Sequence, residues 1–176
     1  MACYVVSTES KGHLVEERLP FRSTLRKTGD TVELELLRDP YRATDLEALF
    51  SCFQDVLEEG KTYPQEGPVT FESFKAYYLS HDVFVLREVE PNKGEIRAHS
   101  IGVRPRCDPS EVLLTSGWFV QKGRILGAFY VKPNFPGRCD HICNHGFLVP
   151  REHRNKGVGS LMAKLSLPVT KMLGYR

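Results

Sequence analysis

The sequence predicts one domain of the α/β or α+β class, with helices packed on a largely antiparallel sheet. Apolar and polar residues alternate over residues 31–37, which is the period of a strand with one buried face. Apolar residues recur at helical spacing over residues 44–60, and a β-branched, apolar run over residues 83–89 predicts a further strand. A chain of 176 residues is long enough for one sizeable core and too short for two domains to be expected.

The elements are predicted in the order strand, helix, helix, strand, strand, strand, helix. Residues 1–30 carry no sustained period and are predicted to be an irregular or strand-like N-terminal extension, so residues 31–37 form the first predicted strand. The first helix begins near Thr44 and ends at Gly60. The second helix covers residues 71–79, with Thr70 as its N-cap.

The second half of the chain is predicted to hold most of the sheet. A long insertion over about residues 90–123 separates the strand at 83–89 from the next strand at 124–131. A turn at 133–137 and a strand from about 139 to 149 follow. The last predicted element is a helix that opens around Gly157.

Composition narrows the class of protein. The formal net charge of +2 is too small to indicate a nucleic-acid partner, and no apolar run approaches the roughly 20 residues that cross a bilayer. The first residues, Met1 to Lys11, contain no apolar core of a signal peptide, so a secretory signal is not expected. The cysteines are odd in number and irregularly spaced, which favours a reducing compartment: Cys3, Cys52, Cys107, Cys139 and Cys143. The sequence therefore predicts a cytoplasmic protein, with the nucleus and the mitochondrion left open.

The most informative segment is the predicted turn between the last strand and the last helix. The strand ends at Val149, Pro150 prevents its continuation, and the turn reads Arg154-Asn155-Lys156-Gly157-Val158-Gly159. The first amides of a helix lack internal acceptors and carry about half a positive charge, so an anion satisfies them. The two glycines leave the backbone accessible, and Arg151, Arg154 and Lys156 supply mobile positive charge. This pattern predicts a diphosphate site.

The same segment, with Val149-Pro150 before it and Leu161-Met162 after it, resembles the acetyl-CoA signature of the GNAT superfamily. Residues 60–65 and 131–149 are similar to the fungal proline-analogue (L-azetidine-2-carboxylate) N-acetyltransferases, and this similarity covers about residues 45–176 with gaps. The resemblance implies a GNAT domain over residues 31–176 and transfer of an acetyl group from acetyl-CoA to the amine of a small molecule, such as a proline-like amino acid.

The resemblance also implies roles for individual residues. The pantetheine arm of the cofactor is expected to pair with the strand that ends at Val149, and the diphosphate is expected on the amides of the following turn. The predicted cofactor-binding residues are Leu148, Val149, Arg154, Asn155, Lys156, Gly157, Val158 and Gly159. Asn144 is predicted to contact a carboxylate of the substrate. Family members continue past the stretch matching Gly174-Tyr175-Arg176 into a further strand and helix, so the sequence is expected to stop short of the complete fold.

No catalytic residue is assigned. His141 and His145 have a suitable unperturbed pKa for a general base, but either could face the core. A nucleophile pair of Cys143 and His145 stays open on weaker grounds. Cys139 and these three residues recur at a spacing of two, and on one strand they would span about 20 Å, so no metal site is expected.

The sequence also contains one motif that resembles a different kind of phosphate-binding site. Gly60-Lys61-Thr62 resembles the end of a P-loop, but it lacks the upstream glycine and follows a helix, so a P-loop is rejected.

Two alternative functions stay open: a catalytically inactive domain that binds CoA or a partner, and a protein N-acetyltransferase. The expected partner is a small-molecule amine, with no nucleic acid and no membrane. A homodimer is left open.

Overall fold

The computed structural model describes residues 10–89, 123–135 and 137–176, and these residues build a five-stranded sheet with helices on both faces. The strands lie in chain order across the sheet, and each neighbouring pair is antiparallel. They are β1 (Phe21–Thr24), β2 (Thr31–Leu36), β3 (Asp82–Glu88), β4 (Ile125–Pro133) and β5 (Cys143–Leu148). β5 is therefore one edge of the sheet that the described residues form.

Three helices accompany the sheet: α1 (Ala43–Glu59), α2 (Phe71–Tyr78) and α3 (Val158–Met172). α1 ends at Gly60, which adopts the left-handed conformation that glycine tolerates best. The predicted N-cap of α2 is confirmed, because the Thr70 hydroxyl accepts a hydrogen bond of 3.1 Å from the Ser73 amide. No helix among the described residues is both long and apolar enough to span a bilayer.

The two faces of the sheet carry different cores. On the α3 face the core is mostly aliphatic, with Leu34, Leu86, Met162 and Val169 among its buried members. The α1 and α2 face is rich in aromatic side chains: Phe53, Phe74, Tyr78 and Tyr130 are buried there. Both faces of β3 and β4 are covered, which explains why these strands read as continuous apolar runs.

The described part of the predicted N-terminal extension packs into the domain. β1 pairs with β2, so the strand at residues 31–36 is the second strand of the described sheet rather than the first. Val15 and Leu25 are buried, and the amides of Lys11 and Gly12 each donate a hydrogen bond of 2.9 Å to Asp82. A four-residue strand between short turns is too brief to show a period, which is why the sequence did not reveal it.

Two boundaries before the edge strand differ from the prediction. β4 continues through Pro133, and β5 begins only at Cys143. Cys139 ends a short 3₁₀ turn that starts at Gly137, whose φ of 71° lies in the left-handed region, and His141 belongs to the turn that follows. The predicted single strand through Cys139, His141, Cys143 and His145 is therefore wrong, because a glycine turn breaks it. The predicted insertion lies outside the described residues, apart from its last residue.

Candidate functional site

The turn between β5 and α3 holds its backbone in the left-handed region at two positions, Asn155 with φ 63° and Gly157 with φ 93°. A short 3₁₀ turn at Arg151–His153 precedes it, and Gly157 is the N-cap of α3, where no side chain caps the helix. The first amides of α3 therefore have no side-chain acceptor, and the positive end of the helix dipole lies at this turn.

A cleft of about 500 Å³ opens beside the start of α3. Six of the eight predicted cofactor-binding residues line it: Val149, Arg154, Asn155, Gly157, Val158 and Gly159. The other two are outside the lining, since the Leu148 side chain is fully buried in the core and Lys156 is exposed beside the cleft. The remaining lining residues are Lys27, Val56, Glu59, Thr62, Phe147, His153 and Ser160.

Arg154 is held in place rather than mobile. Its Nη1 donates to Glu59 at 2.6 Å, and its Nε donates to the Val149 carbonyl oxygen at 3.0 Å. Arg151 Nε lies 3.2 Å from the same Glu59 oxygen. The hydrogen bond from Arg154 is the largest of the effects that lower the pKa of Glu59. The sequence interpretation of Arg154 as a mobile positive charge is therefore wrong, because a carboxylate 95 residues away holds it.

Two charged lining residues were missed by sequence reasoning. Glu59 lies in the last turn of α1, where the helix dipole disfavours negative charge and no basic residue compensates it. This unfavourable position of Glu59 was a signal in the sequence that a cation from a distant segment binds its carboxylate. Lys27 lies in the turn between β1 and β2, and its Nζ donates to the Asn155 carbonyl oxygen at 2.9 Å. Nothing in the local sequence marks Lys27.

Comparisons with known proteins identify the architecture. No family model matches the sequence. The chain is 34% identical over 122 residues to N-acetyltransferase aca1 of Schizosaccharomyces pombe, a match covering 68% of this chain and 50% of that protein. It superposes on a GCN5-related N-acetyltransferase from Kribbella flavida with a TM-score of 0.55 and 19% identity, covering 81% of this chain and 68% of the other. The chain has the GNAT fold.

A second sequence match reaches protein SPT10 of Saccharomyces cerevisiae, with 27% identity over 150 residues, covering 74% of this chain and 23% of that protein. The chain thus spans about half the length of aca1 and about a quarter of SPT10. The predicted GNAT fold class is confirmed by the two structural matches.

Asn144, the predicted substrate contact, is exposed on the α1 and α2 face of the GNAT sheet. It lies opposite Lys132 in the pairing of β4 with β5. The Lys132 ammonium lies 3.9 Å from the ring centroid of Tyr77 and 4.5 Å from that of Tyr130, which holds a positive charge on the same face. Asn144 therefore lies next to a lysine whose ammonium contacts two aromatic rings.

Gly146 is the point where this aromatic face approaches β5 most closely. A Cβ at Gly146 would collide with the Tyr130 ring and with the Tyr63 hydroxyl, so only glycine fits there. The Tyr63 oxygen is buried and has no hydrogen-bond partner among the described residues. Burial is the main effect that raises the pKa of Tyr63, so the phenol keeps its proton. A protonated, unpaired donor thus lies against the strand predicted to bind the cofactor arm.

His145 and Cys143 lie on the opposite face of β5 from Asn144, because side chains alternate along a strand. His145 Nε2 lies 2.8 Å from the Thr170 hydroxyl of α3, and Cys143 Sγ lies 4.0 Å from the same oxygen. Burial lowers the pKa of His145, and it is the main effect that raises the pKa of Cys143. A raised thiol pKa disfavours the thiolate, which weakens the nucleophile hypothesis. His141 lies in the exposed turn before β5, so the base stays unassigned.

Among the described residues, no group of three or more His, Cys, Asp or Glu side chains is arranged to hold a metal ion. His145 and Cys143 instead contact the hydroxyl of Thr170.

Proposed function

We propose that the chain binds acetyl-CoA in the cleft between β5 and α3 and transfers the acetyl group to the amine of a small molecule. The observation that carries this proposal is the coincidence of the predicted diphosphate turn with a real cleft. Six predicted cofactor residues line that cleft, and the uncapped start of α3 lies beside it. The sequence similarity to an N-acetyltransferase supports the same function.

The residues of the cleft fit the diphosphate of CoA. Gly157 has a backbone conformation that other residues rarely adopt, and a Cβ at Gly159 would approach only Val149, at 3.9 Å. Amides in this arrangement bind phosphate oxygens without a side chain between them. β5 is an edge strand of the sheet in the described part of the chain, so the backbone near Leu148 is suited to pairing with an extended amide chain such as pantetheine.

The bound cofactor supplies an acetyl thioester that a neutral amine attacks. The chain must hold the acceptor near β5, keep water out and donate a hydrogen bond to the thioester oxygen as charge develops there. Backbone amides near Leu148 are candidates for that donor. The protonated Tyr63 hydroxyl, which packs against Gly146, is a side-chain candidate on the same face, because its oxygen has no hydrogen-bond partner among the described residues.

The acceptor side of the proposal depends on Asn144. This exposed amide and the neighbouring Lys132 ammonium present hydrogen-bond donors on one face, as a carboxylate requires. An amino acid, including a proline-like one, provides both the amine to be acetylated and that carboxylate. We therefore take proline-like amino acids as the first acceptors to test.

Calorimetric titration with CoA, followed by acetyl transfer measured as release of free CoA, tests the proposal. We expect binding, and turnover with proline-like amino acids. Absence of CoA binding by the folded protein would refute the proposal at its first step. Binding without turnover on any amine would favour the alternative of an inactive CoA-binding domain, and turnover on peptide amines alone would favour a protein N-acetyltransferase.

The substitution Asn144→Asp tests the acceptor side separately. A carboxylate at this position repels a carboxylate on the acceptor, so we expect KM for the amino acid to rise at least tenfold while the affinity for CoA stays the same. The matched control is the amide of the same amino acid, which lacks the negative charge and should be affected much less. Equal effects on the acid and its amide would contradict a carboxylate contact at Asn144.

A further inference from the structure

We propose that Lys27, in the turn between β1 and β2, binds the diphosphate of CoA. This inference rests on the proposed function and adds a residue that lies outside the motif predicted from the sequence. The ammonium of Lys27 lies at the edge of the cleft, 2.9 Å from the carbonyl oxygen of Asn155. Its Cγ would be 3.9 Å from a Cβ at Gly157, so the side chain lies directly over the N-terminus of α3.

The other cations near the cleft do not account for the negative charge of a bound diphosphate. Arg154 and Arg151 both share the Glu59 carboxylate, so the two arginines of the motif are already compensated. Lys156 is exposed and does not line the cleft. A diphosphate carries about two negative charges at neutral pH, and burying them partly requires compensating cations. Among the described lining residues, Lys27 is the one cation without a carboxylate within 4.0 Å.

The geometry also pre-positions Lys27. A lysine side chain loses conformational entropy when it is ordered. The hydrogen bond to Asn155 holds the ammonium before any ligand binds, so much of that cost falls on folding instead of binding. Lys has three N–H donors, and the carbonyl uses one of them. Two donors are left for phosphate oxygens that bind to the amides of the same turn.

The test compares Lys27→Met with Arg26→Met, which removes an exposed positive charge from the same turn outside the cleft. Titrations with CoA and with dephospho-CoA separate the diphosphate from the 3′-phosphate, and inorganic pyrophosphate serves as a competitor that carries the diphosphate alone. At low salt we expect Lys27→Met to weaken all three by about tenfold, as for loss of a charge-assisted hydrogen bond. Arg26→Met should change them by less than about twofold.

Two further measurements distinguish phosphate binding by Lys27 from a purely structural role. Lys27→Arg keeps the charge and should restore binding to within about threefold of the original protein. The difference between Lys27→Met and the original protein should shrink as salt is raised, because screening weakens an electrostatic contact. A loss of affinity that is insensitive to salt, or that Arg26→Met reproduces, would overturn the inference.

Failure of the inference and failure of the proposed function give different results. If the original protein does not bind CoA, the proposed function fails. If it binds CoA and Lys27→Met binds equally well at low salt, only the role of Lys27 is refuted. A reduction for CoA that disappears with dephospho-CoA would assign the contact to the 3′-phosphate and overturn the diphosphate assignment. Thermal denaturation of each variant, with midpoints near that of the original protein, shows that the measured differences come from binding.

Discussion

Helix α1 is tied to the rest of the molecule at both ends by an arginine and a carboxylate, but the two pairs differ in burial. Near its start, Asp45 and Arg87 of β3 are 5% and 4% exposed and form two hydrogen bonds, of 2.6 and 3.1 Å. At its end, the side chains of Glu59 and Arg154 are 24% and 32% exposed. The buried pair is a structural contact, whereas the second pair lies beside the candidate ligand site.

The helix dipole distinguishes the two ends further. Asp45 lies in the first turn of α1, where negative charge is favoured, and Glu59 lies in the last turn, where it is not. Burial alone would lower the pKa of Arg87, but hydrogen bonds and charges from Asp45 and Glu35 raise it overall, so the guanidinium stays charged. The two pairs therefore consist of similar residues but differ in how much they contribute to the stability of the fold. The difference follows from their burial and from their position on the helix.

The largest expected effect is at the buried end. Asp45→Ala leaves the buried Arg87 guanidinium with Glu35 as its remaining carboxylate partner, and breaking a buried pair costs about 3–5 kcal/mol of unfolding free energy. Urea denaturation measures this loss. Arg22→Gln, which removes an exposed ion pair with Glu33, should cost less than about 1 kcal/mol. Equal losses in the two variants would remove the distinction between buried and exposed pairs.

Gly157→Glu should have the next largest effect, on the affinity for CoA. Gly157 lines the same cleft as the Glu59–Arg154 pair at the more exposed end of α1. The new side chain brings negative charge to the cleft and requires a left-handed backbone at φ 93°, so we expect the affinity for CoA to fall at least about a hundredfold. Gly137→Glu is the matched control, since Gly137 has φ 71° in an exposed turn away from the cleft. It should cause similar backbone strain and leave CoA binding unchanged, as calorimetry can verify.

Glu59→Gln should change the affinity for CoA less than Gly157→Glu does, and in the opposite direction. Removing this negative charge frees Arg154 to interact with phosphate, while the hydrogen bond to the Val149 carbonyl keeps the guanidinium in place. We expect CoA to bind about two to five times more tightly at low salt, with the gain reduced at high salt. Glu58→Gln, on the same helix turn but outside the cleft lining, is the control. Weaker binding by Glu59→Gln would show that Glu59 positions Arg154 instead of competing for it.

The smallest expected effect is a pH dependence of stability from His145, on the α3 face. Burial lowers the pKa of this histidine in the folded state, so the unfolded chain binds protons more readily. Stability should therefore decline as the pH falls below about 6.5, the usual pKa of histidine. His145→Gln, which retains a side chain able to bond Thr170, should flatten this decline in urea midpoints measured between pH 5 and 7.5. An unchanged slope would contradict the assignment.

Local features of the chain were predictable because their physics is local. The Thr70 cap, the Gly60 helix end and the strand period of residues 31–36 each depend on a few neighbouring residues. The position of the turn before α3 belongs to the same group, since a strand end, a proline and two glycines fix where α3 starts. By contrast, the strand at residues 21–24 was missed because it is short and its partner stabilises it.

The sequence by itself determined the element types, the GNAT resemblance and the position of the turn that faces the cleft. Only the tertiary structure decided which charges reach that turn. Lys27 contacts Asn155 across 128 residues, and Glu59 contacts Arg154 across 95. Such contacts depend on the order of the strands in the sheet, which places the β1–β2 turn and the end of α1 beside the start of α3. No periodicity or spacing within a short window contains that information, because it arises from packing between distant segments.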